Sequence, residues 1–240
     1  MKATMLLLVA LGAAGACTAQ QEGVWGSVDR FRKAARQVQV CAYTYRMELR
    51  YPDGRKQDMT GHVAVDMQAG QFYHQNDKQV ILLTKDWYYY ANHNEKTVTV
   101  AKVTGKDKPD IFNQASSAVP MVFEMFMDSV LKQGKLQQYT TANGKTTAAF
   151  DFAEGEQLRH FDLVLNDKNG LPESVGFVYR IPWGMNAQGS KPAFLEQQVT
   201  CTGYQYTRGA LSFDTGKLFA ENGKTIVLKE NKTYKINYIK

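Results

Sequence analysis

Cys41-Ala42-Tyr43-Thr44-Tyr45-Arg46-Met47-Glu48-Leu49-Arg50-Tyr51 is the stretch that decides the fold. Cys41, Tyr43, Tyr45, Met47, Leu49 and Tyr51 fall on one side of an extended chain, and Thr44, Arg46, Glu48 and Arg50 on the other. Alternation with a period of two describes a long strand with one face buried. Pro52-Asp53-Gly54 follows as a turn. The same grammar repeats downstream. Strands are predicted at Thr60–Met67, Gln71–His74, Gln79–Thr84, Trp87–Ala91 and Thr97–Val103, separated by short polar or glycine-containing breaks. Parallel neighbours need long crossovers, so connections this short imply an antiparallel meander. After a second apolar helix the pattern resumes at Leu136–Thr141, Thr146–Phe152, His160–Leu165, Ser174–Arg180, Phe194–Tyr206, Thr225–Leu228 and Thr233–Ile239. Asn143-Gly144, Asn169-Gly170 and Asn222-Gly223 are hairpin signals between these runs.

Two segments carry a helical period instead. Between Glu22 and Val38, apolar Val24, Val28, Phe31, Ala34, Ala35 and Val38 recur at steps of three and four, opposite a basic face. Between Ser116 and Gln133, Val119, Val122, Phe123, Phe126, Met127, Val130 and Leu131 form a stripe that Met121 and Met125 widen, and Gly134 marks a stop. Lys106–Asp110 breaks the strand pattern, and Pro182–Pro192 reads as a hairpin tip or lid.

The chain opens with Met1-Lys2, an apolar run from Met5 to Ala14, and small residues to Ala19. This is the layout of a secretory signal peptide over residues 1–19. The run is far shorter than the roughly twenty residues a spanning helix needs. Cleavage after Ala19 fits the small-x-small rule. Ala14-Gly15-Ala16-Cys17 also resembles a lipobox, which would place a lipid on Cys17 and provide the only membrane association expected. Either route exports the chain to the periplasm or the periplasmic face of an outer membrane. Residues 22–240 are expected to form a single β domain with a C-terminal extension from about residue 181.

The 29 basic and 23 acidic residues, net +6, are scattered without a Lys/Arg block, so no nucleic-acid partner is expected. Cys41 and Cys201 sit in strand-like sequence. In an oxidising compartment they are a disulfide candidate that would close a loop of about 160 residues; two buried reduced thiols are the alternative. His62, His74, His93 and His160 lack ligand spacing, so no metal is expected. There is no Gly-x-Ser-x-Gly elbow, no P-loop and no dinucleotide fingerprint, so neither a cofactor nor a catalytic set is assigned.

The positive signal is aromatic. Tyr43, Tyr45, Tyr51, Phe72, Tyr73, Trp87, Tyr88, Tyr89 and Tyr90 crowd the first strands. Ordinary strand packing is the first account of any one such residue; the sharper reading is a greasy concave sheet capped by the Met- and Phe-rich second helix. Val40-Cys41-Ala42-Tyr43-Thr44-Tyr45 after the first helix, Gly61-His62-Val63-Ala64-Val65 before Gly70-Gln71-Phe72-Tyr73, Lys85-Asp86-Trp87-Tyr88-Tyr89-Tyr90, and Phe161-Asp162-Leu163-Val164-Leu165 through Gly170-Leu171-Pro172-Glu173-Ser174-Val175 share a cadence. Over about Gly23 to Arg180 the chain resembles the outer-membrane lipoprotein carrier and receptor family, the LolA/LolB-like proteins. That resemblance implies a mainly β, α+β fold: an antiparallel curved sheet forming an incomplete β-barrel plugged by helices. It also implies that lipid or lipoprotein acyl chains bind inside. It carries over no functional residue.

The expected lining of such a cavity is Tyr43, Tyr45, Met47, Leu49, Val63, Val65, Met67, Tyr89, Val122, Phe126 and Val130. The competing expectation is a non-enzymatic structural or adaptor protein of the envelope, with a solid core and a protein partner. A hydrolase is disfavoured for want of a nucleophile or carboxylate pair.

Overall fold

The structure is a computed structural model that describes residues 23, 26–31, 33, 40–66, 68–103, 127, 130–181, 193–206, 213–222 and 225–239. The predicted signal peptide with Cys17, the breaks at Lys106–Asp110 and Pro182–Pro192, most of both predicted helices, and the candidate lining residues Met67, Val122 and Phe126 lie outside them. Among the described residues there are fourteen strands: β1 Val40–Arg50, β2 Lys56–Asp66, β3 Gln71–Asn76, β4 Gln79–Leu83, β5 Trp87–Asn92, β6 Thr97–Lys102, β7 Lys135–Ala142, β8 Lys145–Asp151, β9 Leu158–Asn166, β10 Pro172–Ile181, β11 Ala193–Gln205, β12 Phe219–Asn222, β13 Thr225–Leu228 and β14 Lys235–Ile239. Twelve of them follow the hydrogen-bonding order β14-β6-β5-β4-β3-β2-β1-β11-β10-β9-β8-β7, and β12 pairs with β13 separately. The order has two ends, so the sheet is not closed. Among the described residues no helix is long and apolar enough to cross a membrane.

The predicted meander forms from β2 through β6 and again from β7 through β10, each neighbour antiparallel. The edge pair departs from the antiparallel expectation: β14 runs parallel to β6, with Lys235 opposite Thr97 and Ile239 opposite Ala101. The long stretch of chain between these two strands supplies the crossover that parallel pairing requires.

Contacts divide the chain into two compact units. One holds residues 1–37, 50–55 and 123–198. Its hairpin β7–β8 turns at Asn143-Gly144, both at positive φ (54° and 73°), the geometry that makes this dipeptide a hairpin signal. In-register pairing aligns Phe150 on β8 with Phe161 on β9 and Phe177 on β10. Their rings meet at centroid distances of 6.2 and 5.3 Å. Val28 and Phe31, from helical residues 26–31, and Met127 and Val130 of the second apolar stripe pack on this ladder. These described residues of the two segments lie on the face that the periodicity predicts to be buried.

The other unit holds residues 38–49, 56–122 and 199–240. Its sheet separates side chains into two faces. Val65, Phe72, Leu83 and Tyr88 stand opposite one another on β2, β3, β4 and β5, and Ala64, Tyr73, Leu82, Tyr89 and Val100 form the adjacent row across β2 to β6. Successive residues of a strand point to opposite sides, so these rows lie on opposite faces.

The second face is covered by the chain's own C-terminal segment. Leu218, Phe219, Ile226 and Leu228, around and within the β12–β13 hairpin, are buried against Val80, Leu82, Tyr89, Ala91, Val98 and Val100. The Phe219 ring stacks on Tyr89 at 6.0 Å and meets the edge of Trp87 at 5.2 Å. Lys102 lies 5.2 Å from the centre of the Trp87 ring and pairs with Glu221 of β12 at 2.8 Å. Truncating Phe219 to Ala should cost about 3–5 kcal/mol of unfolding free energy, as for buried aromatics generally. Val227→Ala on the same hairpin, where the side chain is 50% exposed, should cost under about 0.5 kcal/mol. Urea denaturation of the two variants tests whether this hairpin seals the face.

Candidate functional site

The other face of this second unit, away from Phe219, is built on Cys41, Tyr43, Val63, Val65, Phe72, Leu83 and Cys201, all buried, with Tyr45, Ile81, Tyr88 and Tyr204 packed against it. Four of the expected lining residues, Tyr43, Tyr45, Val63 and Val65, come together here. Met47 and Leu49 continue the same alternation along β1 and are half-buried. Tyr89 does not join them: it belongs to the opposite face, beneath Phe219. Val130 packs in the core of the other unit, with Phe31 and Phe161.

The polar atoms on this face differ sharply in how they are satisfied. Tyr45 Oη accepts from Asn76 Nδ2 at 3.3 Å and lies 2.8 Å from His74 Nε2, to which it can donate. Burial holds the His74 pKa below the ordinary imidazole value, which favours the neutral ring as an acceptor. Gly61 makes room for the Tyr45 ring, since a Cβ there would sit 2.5 Å from ring atoms. Tyr43 is the contrast. It is 2% exposed, its ring lies 5.3 Å from that of Tyr204, and its hydroxyl is buried with no hydrogen-bond partner among the described residues. Burial, reinforced by Cys201 and Tyr204, pushes its pKa well above the ordinary phenol value, so it remains an O–H donor.

Cys41 and Cys201 share this core but are not bonded; both are free, buried thiols, which corrects the disulfide expectation in favour of its alternative. The two side chains pack as small hydrophobes on neighbouring strands β1 and β11, and the Cys41 thiol donates only a long contact, 3.9 Å, to the Ala42 carbonyl. Burial is the main cause that pushes Cys41 up to about 12 and Cys201 up to about 11, so neither is a thiolate near neutrality.

A cleft of about 290 Å³ opens on the opposite face, where Ala64, Tyr73 and Leu82 extend beyond the hairpin and meet Asp214, Lys217 and Glu230. His62 lines it, with a pKa lowered by burial; Tyr73 donates to Gln75 at 2.6 Å and is raised by burial and by the Glu230 carboxylate. Elsewhere His160 Nδ1 meets Asp151 Oδ1 at 2.7 Å across the β8–β9 ladder, a pair set by register alone. Among the described residues no group of three or more His, Cys, Asp or Glu side chains is placed to hold a metal ion.

No protein-family model matches this sequence, and no curated protein does. Among solved structures the chain is similar to an uncharacterized conserved protein from Thermus thermophilus, at 8% identity over 90% of this chain and 99% of that one, with a TM-score of 0.43. It is similar to a LolA superfamily protein from Nitrosomonas europaea, at 9% identity over 78% of this chain and 98% of that one, TM-score 0.30. It is also similar to MucB, at 14% identity over 78% of this chain and 61% of that one, TM-score 0.38.

The thiols give this face a pH signature. Unfolded cysteines ionise near their ordinary value of 9.0, whereas the folded chain holds both protons to about 11 and about 12. Above pH 9 the unfolded state therefore binds fewer protons than the folded one, and stability falls as pH rises. Urea unfolding between pH 8 and 11 should show this decline. In the Cys41→Ala/Cys201→Ala variant the slope between about pH 9 and 10 should flatten, with the buried tyrosines taking over above that. An unchanged slope would mean that the thiols are already accessible in the folded chain.

Proposed function

We propose that this chain is an exported protein of the cell envelope, in the periplasm or at the periplasmic face of the outer membrane. Its role is to bind the acyl chain of a lipid, or of a lipidated protein partner, against the Tyr43–Val63–Val65–Phe72 face. The observation that carries this reading is the Tyr43 hydroxyl: a donor buried in an otherwise apolar core without an acceptor. An unsatisfied buried hydroxyl costs about 1–3 kcal/mol, and native proteins leave few of them. An acyl ester or carboxyl group supplies the missing acceptor, and its hydrocarbon tail suits the surrounding Val, Phe and Leu side chains, at roughly 0.8 kcal/mol per buried CH₂. Further support comes from the sealing of the other face by the chain's own hairpin and from the signal-peptide layout of residues 1–19. Cys17, if acylated, provides membrane attachment. The reading requires neither a cofactor nor a reaction.

One observation favours the competing reading of a solid-core adaptor: Val63 and Phe72 are already 0% exposed. Lipid extraction and mass spectrometry of the purified protein, followed by titration with a fluorescent fatty acid, separate the two. Bound lipid or saturable fatty-acid binding is expected. Tyr43→Phe should bind the fatty acid about tenfold more weakly, while the ligand-free variant is more stable by about 1 kcal/mol, because an unpaired hydroxyl has been removed. Lipid-free protein that binds no fatty acid sinks the proposal and leaves the adaptor.

A further inference from the structure

A second site stands apart from the acyl-binding face, in the unit that carries β7 to β10. There a cleft of about 300 Å³ lies between the first helical segment and the β9–β10 turn. Arg30 and Lys33 reach it from the helix and Lys168 from the turn, so three cations line one small space. The one carboxylate in the lining, Asp167, already accepts the Thr146 hydroxyl at 2.6 Å. Among the described residues no carboxylate pairs with Arg30, Lys33 or Lys168, so the cleft carries a formal charge of about +2 with no internal counterion.

Arg30 is also positioned. Its Nη2 donates to Ser27 Oγ at 3.0 Å. Ser27 is 3% exposed, and its hydroxyl lies 3.0 Å from Tyr139 Oη, which itself donates to the Gly23 carbonyl at 2.9 Å. With the Tyr139 proton directed to Gly23, Ser27 donates to Tyr139 and is left as the acceptor for the guanidinium. The relay Arg30–Ser27–Tyr139–Gly23 thus fixes one edge of Arg30 through neutral partners, and among the described residues no carboxylate offsets its charge. A guanidinium held this way loses less side-chain entropy on binding than a free surface arginine does.

The geometry points to a binding site for a phosphate group. A phosphate monoester carries about −1.5 to −2 charges at neutral pH, which matches the cleft, and its oxygens suit the fork of an arginine flanked by two lysines. The space accommodates the phosphate with a substituent of about glycerol size. The group can come from a lipid headgroup or from a soluble phosphate ester. The site shares no residue with the Tyr43 face, so each can fail without the other.

Isothermal titration of the full mature chain with inorganic phosphate and with glycerol 3-phosphate tests the site. Saturable binding that weakens with added NaCl is expected. Arg30→Gln should weaken it about tenfold, the loss of a charge-assisted contact. Lys168→Gln, on the exposed turn, should weaken it several-fold and guards against misfolding of the helix variant, with thermal melts of both variants as the check on folding. Co-sedimentation with phosphatidylglycerol vesicles, but not phosphatidylcholine vesicles, that Arg30→Gln abolishes would identify the source as a lipid headgroup. Binding of the soluble ester alone would identify a free phosphate ester. Absence of phosphate binding, or binding that neither substitution changes, overturns the site.

Discussion

Cross-strand register is the constraint on which the rest of the second unit depends. Because Ala64 stands opposite Tyr73, Tyr73 opposite Leu82, Leu82 opposite Tyr89 and Tyr89 opposite Val100, five strands present one continuous apolar row on one side. Val65, Phe72, Leu83 and Tyr88 are forced to the other side by the same pairing. A slip of one residue in any of these ladders would exchange the two sets. Each face then needs its own cover, since an apolar sheet face left in water would forfeit most of the stabilisation that burial provides. The C-terminal segment provides it for one face: Phe219 meets both Tyr89 and Trp87, and the flanking Leu218, Ile226 and Leu228 extend the contact. The parallel addition of β14 beside β6 holds the end of that segment to the same sheet. The segment is therefore an integral layer of its unit, placed by the apolar row that it covers.

Most strands are legible in the sequence because each carries a local signal. Alternation over Cys41–Tyr51 needs no tertiary information, and Asn143-Gly144 adopts the positive φ values that make it a turn. The strand without such a signal is β12, Phe219–Asn222. It is four residues long with a single buried apolar side chain, too short for a period to show, and its partner β13 is recognisable only because Thr225, Ile226 and Val227 are β-branched. The direction of β14 is also hidden, because a parallel partner more than a hundred residues away leaves no trace in local spacing.

The candidate site is only partly legible, for a related reason. Trp87-Tyr88-Tyr89-Tyr90 is aromatic at every position, so composition cannot say which face Tyr89 takes; register with Leu82 and Val100 decides it. The stripe that contains Val130 shows which side of a helix is expected to be buried without saying which sheet receives it; Val130 and Met127 pack on the Phe150–Phe161–Phe177 ladder. Cys41 and Cys201 do meet in one core, as their strand-like settings suggest, but proximity is not a bond, and their burial keeps both protonated.

The tyrosines give the most discriminating comparison within the chain. Tyr45 has His74 and Asn76, Tyr73 has Gln75, Tyr139 has Gly23 and Ser27, and Tyr89 receives a contact from Asn231 at 3.4 Å. In each case the fold supplies a polar neighbour to a ring that it buries wholly or in part, as the cost of desolvating a hydroxyl demands. Tyr43 lies on the same strand as Tyr45, two residues away, and its hydroxyl has no hydrogen-bond partner among the described residues. Phenylalanine would fill the same volume there without the penalty. Register places Tyr43 in the core beside Val63, Val65 and Phe72, where burial rather than a hydrogen bond fixes the ring, and this is what sets it apart from Tyr45, Tyr73, Tyr89 and Tyr139.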